Sequence, residues 1–237
     1  MLIERINKQD KCFAALLDPD KADLSAMLQN NILPDLFFVG GSFVSNHKQD
    51  ELCGNLKKAS DTPVVLFPGD PTHISNHADA ILFLSLISGR NAEFLIGKHV
   101  IAAPMLKRST LKILPTGYML IDAGKPTSAS YISHTQPIPY DKIDLAVATA
   151  LAAEMLGMKY IFLDTGSGAQ KPVSLEMIQA VSEQVSLPVI VGGGVRNPEQ
   201  MDLMFKAGAN VVVVGTHLEK KPETIHEFIG VSTIYKS

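Results

Sequence analysis

Eight short runs of apolar, β-rich residues, at 13–17, 36–39, 64–67, 80–84, 118–121, 161–164, 189–191 and 211–214, constrain this chain more than any other feature. Most are continuously apolar instead of alternating. A strand covered on both faces needs no polar side, and parallel strands flanked by helices are covered in that way. Helical patterns fill the segments between the runs. Eight such strands alternating with helices predict an α/β fold, a closed (β/α)8 TIM barrel. The chain has 237 residues, close to the roughly 250 that such a barrel takes. No linker, low-complexity tract or internal repeat divides it, so residues 1–237 are read as one domain.

Local signals support several of the helices. Asn197-Pro198 places a side-chain acceptor at an N-cap and a proline in the first turn. Asp141 followed by Asp144 predicts a capping box ahead of "LAVATALAAEML", and Gly157 a C-cap after it. Two connections look irregular. Residues 68–77, "PGDPTHISNH", are too rich in Pro, Gly and Asn for a good helix. Residues 122–139 read as a long polar loop, the kind that forms functional lids or is disordered.

Composition excludes some functions. A net charge of -3 and the lack of a basic stripe argue against nucleic-acid binding. Cys12 and Cys53 stand apart from any CxxC or Cys/His cluster and read as buried thiols in a reducing cytoplasm. The N-terminal "MLIERINKQDK" is too charged for a signal peptide, and "ADAILFLSLIS" is too short to span a bilayer. The expectation is therefore a cytoplasmic protein without a transmembrane segment. The histidines at 47, 73, 77, 99, 134, 217 and 226 lack zinc spacing and read as solvated loop residues. No GxSxG nucleophile elbow occurs.

The chemistry concentrates where strands end. Four runs exit through small residues: "LFFVGGS", "IFLDTGSG", "VIVGGG" and "VVVVGT". In a barrel of this type the strand C-termini face the active site, and phosphates sit at the loops after strands seven and eight. Glycines there let backbone N–H groups approach an anion, and a following helix N-terminus adds favourable partial charge. Tight turns are the competing use of the same glycines. The run at 161–164 ends on an acid, Asp164, before Thr165-Gly166-Ser167-Gly168. That pattern suits either a capped turn or a carboxylate beside a bound phosphate. The first run ends in "LLDPDK", a turn motif whose Asp18 could also hold Mg²⁺ together with Ser42, substrate phosphates and water.

Taken in order, "LLDPDK", "FVGGS", "FPGDPTHIS", "ADAILFLSLISGRNAEFLIGKHV", "LAAEMLGMKYIFLDTGSGA", "VIVGGGVRNPEQ" and "VVVVGT" resemble the geranylgeranylglyceryl phosphate synthases, in the branch shared by many archaea and some bacteria. The resemblance spans nearly the whole chain. It implies a TIM barrel whose third helix is replaced by irregular structure, as at 68–77. It also implies a prenyltransferase, a phosphoglycerol geranylgeranyltransferase, acting in ether-lipid (phospholipid) biosynthesis. The reaction joins a polyprenyl group, geranylgeranyl in that family, from its diphosphate to the C3 hydroxyl of sn-glycerol 1-phosphate, with Mg²⁺. By the same resemblance Asp18 and Ser42 hold Mg²⁺ and Asp164 is the catalytic carboxylate. Phe162, Leu163, Asp164, Thr165, Gly166, Ser167, Gly168, Gly193, Gly194, Gly215 and Thr216 bind glycerol phosphate. The family forms homo-oligomers, and transient contact with a membrane surface would serve product release. The runs at 81–87 and 94–105 supply apolar walls for the donor's tail.

Two departures stand out. The family commonly has Tyr-Leu-Glu where this chain has Phe162-Leu163-Asp164. The first change removes a hydroxyl, and the second shortens the acid by one methylene. Two other readings remain: a phosphosugar isomerase or synthase on the same barrel, since phosphate loops recur on it, and a catalytically silent phosphate- or lipid-binding derivative.

Overall fold

A computed structural model describes residues 10–28, 33–46 and 48–236. His47 and the first nine residues, most of the stretch read above against a leader, lie outside them. The strands are β1 (Cys12–Leu17), β2 (Leu36–Gly40), β3 (Val64–Phe67), β4 (Ala80–Leu86), β5 (Lys112–Leu120), β6 (Tyr160–Asp164), β7 (Val189–Gly192) and β8 (Val211–Val214). All pair in parallel in sequence order, and Cys12 opposite Val211 closes the barrel. The helices, in chain order, are α1 (Leu24–Met27), α2 (Gln49–Ala59), α3 (Lys98–Arg108), α4 (Ser128–Ser133), α5 (Ile143–Met155), α6 (Leu175–Gln184), α7 (Pro198–Lys206), α8 (Thr216–Lys220) and α9 (Ile225–Ile234).

Successive residues of a strand point to opposite faces, and this alternation splits the core in two. Phe13, Phe37, Leu66, Ile161, Leu163, Val191 and Val212 pack outward against the helices. Ala14, Phe38, Val65, Leu82, Tyr118, Phe162, Ile190 and Val213 fill the barrel interior. On β6 this sends Phe162 and Asp164 inward and leaves Leu163 outside. Continuous hydrophobicity follows from this two-sided burial.

The β3–β4 connection contains no helix, as the Pro/Gly/Asn content of 68–77 predicts. At α7, Asn197 accepts a hydrogen bond from Gln200 N–H at 2.9 Å, and Pro198 occupies the first helical position. Helix α5 ends as expected, with the N–H groups of Gly157 and Met158 returning to Glu154 and Ala153 carbonyls at 2.9 and 3.1 Å.

Three expectations are corrected. The capping box at Asp141 does not form: α5 starts after Lys142 without a side-chain cap, and Asp144 lies in the first turn, where it meets the positive end of the helix dipole. Strand β5 begins at Lys112, six positions before the 118–121 run, because Pro115 and Gly117 mimic breakers. Proline lacks only its N–H, and the Pro115 carbonyl still accepts from Lys159 N–H at 2.8 Å. The polar loop at 122–139 contains α4, whose start is a reciprocal cap between Thr127 and Ser130. Serine and threonine suit loops and caps alike, so composition alone hid this helix.

Cys12 and Cys53 are buried free thiols, and burial pushes both up to about 12. No described helix is long and apolar enough to cross a membrane.

Candidate active site

Two cavities open at the C-terminal ends of the strands. One, of about 350 Å³, is lined by Asp164, Gly166, Ser167, Gly168, the 192–194 glycines and Gly215-Thr216, with Arg196, His217 and Lys220 also on its wall. The other is an apolar groove of about 110 Å³, bounded by β4, α3, α4 and the β3 loop. Gly41, Ser42 and Phe67 line both, so the polar chamber and the groove meet at the ends of β2 and β3.

Asp164 is 7% exposed and uses its two oxygens differently. Oδ1 accepts the Gly166 N–H at 2.7 Å, which caps the turn. Oδ2 accepts the Tyr118 hydroxyl at 2.5 Å. Burial pushes the carboxyl above the ordinary aspartate range, and the hydrogen bonds from Tyr118 and Gly166 oppose that rise. Burial, then the charge of Asp164 beside it, holds the Tyr118 hydroxyl well above the usual tyrosine value.

Tyr118 stands on β5 opposite Phe162 of β6. Its ring meets Phe162 edge-on at 5.4 Å, and Phe162 stacks on Phe67 at 5.3 Å. Three aromatic rings thus lie under the junction of chamber and groove. The sequence reading noted the hydroxyl lost at Phe162. It missed Tyr118, whose signal is only an aromatic at an inward position of a neighbouring strand.

The glycine turns are built by close approach. Gly193 has φ +83°, and a Cβ there would lie 2.3 Å from Thr165 Oγ1 and 2.9 Å from Asp164 Oδ1. Position 193 therefore has to be glycine for Asp164 to keep its place, besides any approach to an anion. Ser167 Oγ and Thr216 Oγ1, 3.1 Å apart, join the turns after β6 and β8. Arg196 Nη2 donates to the carbonyls of Ala169 and Gln170 at 3.2 and 2.8 Å, joining the turn after β7 to that after β6. Leu163 lies in the outer core, and Thr165 is buried with its N–H on the Gly192 carbonyl at 3.1 Å. Any contact of Leu163 with a ligand therefore falls to its backbone.

Asp18 directly follows β1 with 8% exposure, and its Oδ2 pairs with the Lys21 ammonium. Its Oδ2 also lies 4.0 Å from a Cβ placed on Gly41, the neighbour of Ser42. One carboxylate and one hydroxyl beside a phosphate-sized chamber form a donor set that suits Mg²⁺, which retains waters and takes phosphate oxygens. Lys21 already supplies positive charge at that carboxylate. Glu219, on the chamber wall, is raised by burial and acted on by both Lys21 and Asp18.

The groove uses the predicted stretches, with Leu82, Phe83, Leu84 and Leu86 from β4, Phe94 from the turn before α3 and Ala102 from α3, and adds Leu106 just beyond them. Helix α4 adds Ala129 and Ile132, so the segment read as a possible lid is a wall. His99, read among the solvated histidines, is instead buried in α3. Its Nε2 lies 3.2 Å from Ser85 Oγ, its ring packs edge-on against Phe83, and burial lowers its pKa.

Comparison with known proteins agrees with this geometry. The PcrB family model matches residues 4–232. Geranylgeranylglyceryl phosphate synthase of Spirosoma linguale is 53% identical over 226 residues, covering 93% of this chain and 91% of its own. The enzyme of the same name from Korarchaeum cryptofilum is 42% identical, over 92% of both chains. Among solved structures, (S)-3-O-geranylgeranylglyceryl phosphate synthase from Thermoplasma acidophilum, in complex with its substrate sn-glycerol-1-phosphate, superimposes with a TM-score of 0.89 at 29% identity, over 98% of this chain and 96% of that one. The chain belongs to the PcrB family, and with it to the geranylgeranylglyceryl phosphate synthases, which are prenyltransferases.

Proposed function

We propose that the chain transfers a polyprenyl group of the geranylgeranyl class from its diphosphate to the C3 hydroxyl of sn-glycerol 1-phosphate. The observation that carries this reading is the meeting, at Ser42 and Phe67, of an apolar groove with a glycine-lined chamber that contains one buried acid. A donor with an apolar tail and an anionic head needs the first, and a small phosphorylated alcohol needs the second.

The glycerol phosphate sits against the turns at 166–168, 193–194 and 215–216, where backbone N–H groups serve its phosphate. Its C3 hydroxyl points to Asp164. The allylic carbon–oxygen bond of the donor breaks, and its electron pair leaves with diphosphate. The C3 oxygen forms the new ether bond to the allylic carbon and yields its proton to Asp164. Tyr118 keeps the carboxylate oriented, while the aromatic ring of Phe67, which lines both cavities, favours the positive charge that develops on carbon. Asp18 and Ser42 would hold Mg²⁺, which when bound would supply charge neutralisation for a departing diphosphate.

The test is incubation with Mg²⁺, radiolabelled sn-glycerol 1-phosphate and prenyl diphosphates of increasing length. A labelled, solvent-extractable ether lipid is expected. Failure of every donor to yield one, with both ligands bound by calorimetry, would sink the reading in favour of a silent binding protein.

A further inference from the structure

We propose that Lys98 contacts the departing diphosphate from the groove side, and that Gly69 and Asp70 hold its ammonium beside that position until the donor binds. The inference rests on the prenyl-transfer reading, because it concerns the donor's anionic head.

That head is bonded to the reacting carbon at the end of the apolar tail, so it belongs where groove and chamber meet. The shared residues Gly41, Ser42 and Phe67 mark that place. Lys98 lines the groove, and burial lowers the pKa of His99 beside it. Among the described lining residues Lys98 is the sole permanent cation. Its Nζ donates to the Gly69 carbonyl at 3.2 Å and lies 3.5 Å from Asp70 Oδ2. Gly69 is packed directly on the junction, because a Cβ there would come within 2.5 Å of the Gly41 carbonyl oxygen and 3.1 Å of that of Ser42. The tether thus anchors the ammonium to a loop packed on the backbone carbonyls of Gly41 and Ser42.

A purely structural role explains this arrangement poorly. The ion pair to Asp70 is at the long end of hydrogen bonding, and Asp70 is 46% exposed, so the pair adds little stability. The ammonium also lies 4.3 Å over the Phe94 ring, one turn earlier on the groove side. The π-turn Glu93–Gly97 that precedes α3 contains Phe94 and leads directly into Lys98; insertions of this kind recur at functional sites. A long flexible side chain with one carbonyl, one distant carboxylate and an aromatic face is weakly committed. A diphosphate oxygen can take it.

Two substitutions are expected to act in opposite directions. Lys98→Met removes the cation, and affinity for Mg²⁺-inorganic diphosphate and for an unreactive thiolo analogue of the donor should fall by about tenfold or more, the scale of one charge-assisted hydrogen bond. Asp70→Asn releases the cation, so the same affinities should hold or tighten. Lys98→Arg should retain most of the binding, and glycerol phosphate affinity should be unchanged in all three variants. A structural latch predicts that Lys98→Met and Asp70→Asn weaken diphosphate binding in parallel and lower Tm together, and that result would overturn the proposal. So would wild-type diphosphate affinity in Lys98→Met alongside normal wild-type turnover. A wild type that binds diphosphate through Lys98 yet forms no prenylated lipid would instead overturn the transfer reaction.

Discussion

Asp164→Asn separates catalysis from folding with little ambiguity. The carboxylate accepts two hydrogen bonds, from Gly166 N–H at 2.7 Å and from the Tyr118 hydroxyl at 2.5 Å. Asparagine can keep the first and reverse the second. Its oxygen turns to Gly166, its NH2 donates to the phenolic oxygen, and the Tyr118 proton rotates away. A buried charge disappears at the same time, so stability should stay within about 1 kcal/mol, or roughly 2–4 °C in Tm for a chain of this size. Alanine would be a poorer test. It leaves two buried donors unpaired at about 1–3 kcal/mol each, and Tm would fall on the order of 10 °C.

What asparagine cannot do is accept the C3 proton or oppose positive charge on the allylic carbon. Loss of a general base costs about 10²- to 10⁴-fold, equivalent to roughly 3–5 kcal/mol of barrier. Since this interaction strengthens on the way to the transition state, kcat and kcat/KM should fall together while glycerol phosphate affinity holds. Single-turnover assays with labelled glycerol phosphate, paired with a thermal melt, measure both. An Asn variant with lowered Tm and full kcat would show that Asp164 is only the cap of its turn, and the catalytic assignment would be abandoned. Asp164→Glu restores the family's acid but must fit beside Gly193, and we expect turnover retained at about 1–3 kcal/mol lower stability from overpacking.

Tyr118→Phe should move the acidic limb of the kcat/KM profile upward, since the hydroxyl opposes the burial-driven rise of the Asp164 carboxyl; activity, present above that pKa, is then lost earlier as pH falls. A limb that stays in place or moves down would remove Tyr118 from the site's electrostatics. Asp18→Ala should abolish Mg²⁺-dependent turnover and leave glycerol phosphate affinity within a few-fold, checked by calorimetry against a magnesium titration of rate; a variant as active as wild type would remove Asp18 from the mechanism. Gly193→Val should reduce both glycerol phosphate affinity and kcat, because the new side chain meets Thr165 and Asp164 as well as the anion's approach; a folded variant with both quantities intact would return the GGG segment to a plain turn.

What was legible in the sequence is what neighbouring residues decide among themselves. Continuous apolar runs reported burial on two faces, and Asn197-Pro198 reported a helix start. An acid followed by Thr-Gly-Ser-Gly reported a strand that ends at a site. These signals act over a few residues, so the chain carries them without knowing its fold. The pairing of Tyr118 with Asp164 across 46 positions depends on β5 lying beside β6 in one register. The contact of Ser167 with Thr216 spans 49 positions and depends on which loops share the barrel mouth. The placing of Lys98 against Gly69 depends on a helix-free β3 loop folding back onto the end of β2. Barrel closure and register set those meetings, and spacing along the chain contains neither, so the acid and the glycine turns were nameable in advance while Tyr118 and the partnerships belong to the tertiary structure.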